Sequence, residues 1–154
     1  MTNTINFPTQ NFFEKGYKNE SIPFMTRHSV ENLLKNHLVE PDEKVLEDKE
    51  IKICFSYPFS QRFIFTFTSP DGEGFTRGQL AEMIINQYYQ MYREEEETIQ
   101  EEPILSIEDR IAKSGLINRN RTDGKYGIWG HDMGDLSLDS MYIEDDVWYL
   151  CISS

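Results

Sequence analysis

The sequence predicts an α+β fold, an antiparallel or mixed sheet of about four strands with two to three helices packed on one face. Three observations carry that expectation. The runs IKICFSY (51–57) and RFIFTFTS (62–69) alternate apolar and polar residues with a period of two, and turn residues separate them. Thr76 and Gln79 form a capping box in front of a long amphipathic stretch. At the C-terminal end LSLDSMYI and VWYLCI flank Glu144, Asp145 and Asp146, a hairpin pattern. The resulting order of helix, two strands, two helices and a hairpin does not alternate as βαβ units would. At 154 residues the chain fits a single domain, 1–154.

Residues 1–25 show neither period, yet they carry Phe7, Phe12, Phe13, Tyr17, Ile22 and Phe24. So many aromatics are unlike a disordered tail. They predict an N-terminal aromatic arm, packed on its own domain or on a neighbouring subunit, ahead of a globular body over 26–154. Ser29 is placed to cap a helix in which Val30, Leu33, Leu34 and Leu38 share a face and which ends before Pro41. The two strands follow, with Ile51, Ile53, Phe55 and Tyr57 on one face of the first and Phe63, Phe65 and Phe67 on one face of the second. PFSQ between them and PDGEG after them supply turn chemistry.

The spacing of Leu80, Met83, Ile84, Tyr88, Met91 and Tyr92 predicts the main helix over 77–95. Its end breaks a local rule, because the glutamates at 94–97 fall where the helix dipole is already negative, at a cost of roughly 0.3–1 kcal/mol per charge. Fraying is expected there, with 94–102 as a solvated acidic segment; a cation or basic partner is the functional alternative. A shorter helix is expected from Ser106 as cap to Gly115 as stop, with Ile107 and Ile111 facing inward.

Composition excludes several functions. With 27 acidic against 15 basic residues the net charge is −12, a field that repels nucleic acid and anionic lipid, so neither is an expected partner. Arg119, Arg121 and Lys125 remain as a local cluster that could hold an anion, although basic groups bordering a turn usually form a solvated rim. The two cysteines, Cys54 and Cys151, lie within apolar runs and show no C-x-x-C pairing, as expected of small buried side chains in a reducing compartment. The start of the chain lacks a signal-peptide pattern, and no apolar run approaches the ~20 residues of a membrane span. A soluble intracellular protein without membrane contact is expected.

The stretch KYGIWGHDMGDL (125–136) holds the densest candidate chemistry. His131 beside Asp132 or Asp135 has the composition of a base oriented by a carboxylate, or of a metal ligand, with Tyr126, Trp129 and Arg121 as ligand contacts. A catalytic metal takes about three protein ligands, and His28 and His37 bear no fixed relation to this loop, so neither a metal nor a cofactor is predicted. The His-Asp pair resembles that of metal phosphohydrolases, which carry it on a helix; Gly130 and Gly134 oppose a helix here. Pairing Cys54 or Cys151 with His131 would place the nucleophile in mid-strand, away from any helix N-terminus that lowers a thiol pKa. The familiar nucleotide, hydrolase and calcium-loop signatures are absent. The same stretch also reads as a structural turn. Gly127, Gly130 and Gly134 give the backbone freedom, Tyr126, Ile128 and Trp129 anchor it, and Asp132 and Asp135 accept backbone N–H groups.

The segments RNRTDGKYGIWGHDMGDLSLDSMYI and FTRGQLAEMIINQYYQMYREEEE resemble a small family of acidic proteins in giant DNA viruses of amoebae, the marseillevirus group, with relatives in plants and algae. The resemblance extends over about half of the chain. It implies carriage in the virus particle and a homodimer. The family has no assigned reaction, so no catalytic residue is carried over. The expected function is therefore that of a non-enzymatic interaction or structural protein whose partner is another protein or itself. The alternative is a small enzyme or ligand-binding domain with its site at Trp129, Gly130, His131 and Asp132.

Overall fold

A computed structural model describes residues 3–10, 21–24 and 27–154, with the backbone alone at 27–29. Phe12, Phe13, Tyr17 and the side chain of Ser29 lie outside the described residues. The strands are β1 (Thr4–Asn6), β2 (Ile22–Pro23), β3 (Lys44–Leu46), β4 (Glu50–Phe55), β5 (Phe63–Thr68), β6 (Phe75–Thr76), β7 (Ser137–Glu144) and β8 (Val147–Ser153). The helices are α1 (Arg27–Asn36), α2 (Arg77–Glu97) and α3 (Ile107–Ser114), with a 3₁₀ turn at Met133–Asp135.

Among the described residues the main sheet has six strands in the order β1-β7-β8-β4-β5, with β2 also paired to β7, and β3 pairs separately with β6. It is mixed: β4 runs parallel to β8, and the other pairs are antiparallel. The sheet is thus larger than the expected four strands. The additional strands are two or three residues long, too short for a period of two to register. The long strands occur as expected, with Ile53 opposite Phe65 and Phe55 opposite Phe63. The closing hairpin turns at Asp145 and Asp146, whose φ angles of 50° and 64° are those of the tight turns that match strand twist.

Helix α2 lies against the inner face of the sheet. Its Tyr88 is fully buried, with ring centroids 5.0 Å from Phe24, 5.2 Å from Phe55 and 5.5 Å from Phe59. The Tyr88 hydroxyl donates to the Tyr57 carbonyl at 2.8 Å, which satisfies the one polar atom of that cluster. Ile5, Phe7, Ile22 and Phe24, from the first 25 residues, belong to the same core. The opposite sheet face leaves Ile64 and Tyr142 exposed, with Tyr142 stacked on Tyr149 at 5.5 Å. Cys54 is buried, Cys151 is half-buried, and both are free thiols. Among the described residues no helix is long and apolar enough to cross a membrane.

Three local expectations are corrected. Helix α1 begins at Arg27, so Ser29 lies inside it rather than at its cap. Helix α3 is capped by Ser106 and stopped by Gly115 (φ 76°) as expected, yet Ile107 and Ile111 are 58% and 47% exposed while Arg110 is buried. Helix α2 runs on to Glu97 through the glutamate run. The capping box at its start is complete, with Thr76 Oγ1 accepting from the Gln79 N–H and Gln79 Oε1 accepting from the Thr76 N–H.

Candidate functional site

The glycine-rich loop folds around a side chain from α2. Glu95 is on the buried stripe of that helix with Ile84, Tyr88 and Met91, and it is 0% exposed. Its Oε1 accepts the backbone N–H of Tyr126 at 2.8 Å and of Gly127 at 3.0 Å. Its Oε2 accepts the Thr122 hydroxyl at 2.5 Å, the Gly124 N–H at 3.0 Å and the Ile128 N–H at 3.2 Å. Burial pushes this carboxyl up, but the Thr122 hydroxyl and the N–H groups of Tyr126, Ile128 and Gly124 outweigh it and hold the carboxyl below its ordinary value. A buried carboxylate is costly unless its lone pairs are filled, and five donors fill these.

The neighbouring acids serve the same loop. Glu94 accepts from the Tyr126 hydroxyl at 2.8 Å and from Lys125 Nζ at 3.2 Å. Asp123 returns the interaction, its carboxylate accepting the N–H groups of Gln100, Glu101 and Glu102. The expected solvated segment over 94–102 is therefore corrected. Glu96 and Glu97 face water, but Glu95 is interior, and the loop's donors compensate the charge that the helix dipole opposes.

The glycines fit this packing. Gly127 has φ 63°, and a Cβ there would strike the Ser60 side chain, whose Oγ donates to the Gly127 carbonyl at 2.7 Å. The Tyr126 ring packs edge-on against Phe63, centroids 4.8 Å apart, and the exposed Trp129 ring meets Tyr57 edge-on at 5.5 Å.

His131, Asp132 and Asp135 are close together but already engaged. The His131 ring is half-buried against Tyr57 at 5.5 Å, and its Nδ1 stands 4.0 Å from Asp135 Oδ2, beyond the reach of a hydrogen-bonded base and orienter. Its carbonyl accepts from the Tyr92 hydroxyl at 2.9 Å, a phenol that burial holds protonated. The Asp132 carboxylate accepts from Arg110 Nη1 at 2.8 Å, with Arg119 Nη1 at 3.9 Å. The Asp135 carboxylate accepts the Asp132 N–H at 3.1 Å. Among the described residues no three His, Cys, Asp or Glu side chains converge as metal ligands.

The cluster Arg119, Arg121 and Lys125 is not assembled. Arg119 is buried over the Tyr92 ring and donates to Thr122, while Lys125 pairs with Glu94. Arg121 is exposed and lines a groove of about 560 Å³ together with Leu105, Arg110, Lys113 and Leu116. None of Tyr126, Trp129, His131, Asp132 or Asp135 lines that groove. The residues that sequence reasoning did not single out are Glu95, Thr122 and Arg110. For Glu95 a signal existed, since it continues the apolar spacing of Ile84, Tyr88 and Met91. Compared with family models, with curated proteins and with solved structures, the chain matches none.

Proposed function

We propose that the chain is a non-enzymatic binding protein that docks another protein on the face formed by α3 and residues 115–121. The observation that supports this most is the exposure of Ile107, Ile111, Leu116 and Ile117, at 47–65%, within eleven residues of one helix and its exit. Contiguous exposed apolar side chains with a polar rim are the usual mark of a partner site. The catalytic alternative at residues 129–132 has less behind it, because the carboxylates beside His131 are spent on Arg110 and on a backbone N–H. The proposal extends to a homodimer and to a place in the particle of an amoebal giant virus, both on the strength of the resemblance of residues 75–97 and 119–143.

A photo-crosslinking residue at Leu116, compared with one at the exposed turn residue Glu73, tests the docking face in cells. A discrete adduct from position 116 alone is expected, and equal labelling from both positions, or none from 116, contradicts the reading. Light scattering tests the homodimer, which predicts about twice the 18.2 kDa of one chain.

A further inference from the structure

One edge of the main sheet is open. The strand order β1-β7-β8-β4-β5 gives β5 a neighbour on one side only. The Ser69 N–H donates to the Lys49 carbonyl at 2.8 Å, next to an unbroken register that sets Thr68 opposite Glu50 and Phe63 opposite Phe55. In an antiparallel ladder bonded pairs alternate with unbonded ones. Phe63, Phe65 and Phe67 therefore direct their main-chain groups at β4, and Ile64, Thr66 and Thr68 direct theirs outward. The outward N–H groups and carbonyls have no hydrogen-bond partner among the described residues, and all three residues are exposed. Folds usually blunt such an edge with a charge, a proline, a bulge or a very short strand. The opposite edge is blunt, because β1 and β2 are three and two residues long. By contrast β5 reads FIFTFT, six residues without a charge, a proline or a register shift.

We infer that β5 pairs antiparallel with β5 of a second copy of the chain, about a two-fold axis at Thr66, so that the two main sheets join edge to edge. The inference rests on the homodimer reading above and names its interface, apart from the α3 face. In that register the strand is complementary to itself. Thr66 faces Thr66 and Ile64 faces Thr68, so every outward N–H meets an outward carbonyl. On the inner side Phe65 faces Phe67 of the other copy, an aromatic cross-strand pair, and both rings are only half-buried within one chain. Beyond the strand ends the same register carries Arg62 of each copy toward Asp71 of the other. Those opposite charges meet in a chain whose net charge of −12 otherwise repels a second copy. A slip by one residue would set outward groups against inward ones and turn the phenylalanines away from their counterparts. The contact is isologous and closes on two copies, since the far edge is blunt.

Light scattering on the full chain tests the pairing through Ile64 and Thr68, which are exposed and face each other across the axis; circular dichroism verifies that each variant folds. Ile64→Lys with Thr68→Lys sets like charges opposite one another and should give the 18.2 kDa of one chain. Ile64→Lys with Thr68→Glu sets opposite charges there and should restore about twice that mass. A cysteine cross-link reads the register. Thr66→Cys in a Cys151→Ser background should link to its own copy on mild oxidation, because the residue on the axis meets itself at the about 5.5 Å Cα separation of a bonded pair. Ile64→Cys, which faces position 68 instead, should not. A native chain with the mass of one copy overturns the inference and the homodimer together. A dimer that persists in the like-charged variant, a mass not restored in the oppositely charged one, or equal cross-linking from positions 64 and 66 overturns the β5 interface and leaves the homodimer standing.

Discussion

At the residue scale Glu95 explains the loop. One carboxylate satisfies four backbone N–H groups and one hydroxyl, all in residues 122–128. Glu95→Gln keeps the shape but replaces one acceptor oxygen with an amide that itself donates, which leaves at least two buried donors unpaired. A loss of about 2–6 kcal/mol is expected in chemical denaturation, from about 1–3 kcal/mol per unsatisfied group. The pH dependence follows from the direction of the shift. Glu95 has its carboxyl held below the ordinary 4.5, so the unfolded chain takes up the proton first as pH falls. Its stabilisation is fully present above that ordinary value and is lost as pH drops through the lower folded-state value. A thermal scan between neutral pH and about pH 3 should show a steeper loss of Tm in the native chain than in the Gln variant; parallel curves would remove Glu95 from that role. The glycines of this loop were legible in the sequence as hinges. Their partner was not, because a glutamate inside a glutamate run has the composition of a solvated face, and only its place in the helical period marks it as interior.

At the element scale α3 shows what periodicity reads and what it misses. Ser106 and Gly115 act through local backbone geometry, so their roles as cap and stop were legible. The direction in which the helix faces was not, because it depends on Asp132, twenty-two residues beyond Arg110, whose carboxylate draws that guanidinium inward. Substitutions separate the two orientations. Ile107→Ser with Ile111→Ser should change stability by less than about 1 kcal/mol in thermal unfolding, as surface changes do, where buried positions would lose several times that. Arg110→Ala in the same helix should cost about 2–4 kcal/mol, since it unpairs two carbonyls and a carboxylate. The reverse ranking would mean that α3 packs on its isoleucines.

At the scale of the whole molecule two short segments near the start of the chain, residues 4–6 and 22–23, are part of the sheet. β1 and β2 both pair with β7, and their neighbourhood contributes Ile5, Phe7, Ile22 and Phe24 to the core. Burying four such side chains stabilises the fold by about 6–12 kcal/mol, which is comparable to the total stability of a domain of this size. A chain starting at residue 26 should therefore fail to give a cooperative melt by circular dichroism. A truncated chain that melts cooperatively near the native Tm would show these strands to be dispensable. Strands β4 and β5 and the closing hairpin were legible, because six to eight residues give a period of two room to repeat. Strands of two or three residues do not, and which strand pairs with β7 is settled by contacts more than a hundred residues apart in the chain. The mixed character of the sheet comes from the parallel β4 and β8 pair, which no local pattern encodes.

The stretch KYGIWGHD (125–132) is a structural loop clasped by Glu95. Amide hydrogen exchange followed by NMR tests the clasp most directly. The amides of Gly124, Tyr126, Gly127 and Ile128 should be protected nearly as strongly as those of β4 and β8. Glu95→Gln should release those four while the sheet stays protected. Exchange of the same four amides at the rate of an open loop in the native chain would contradict it.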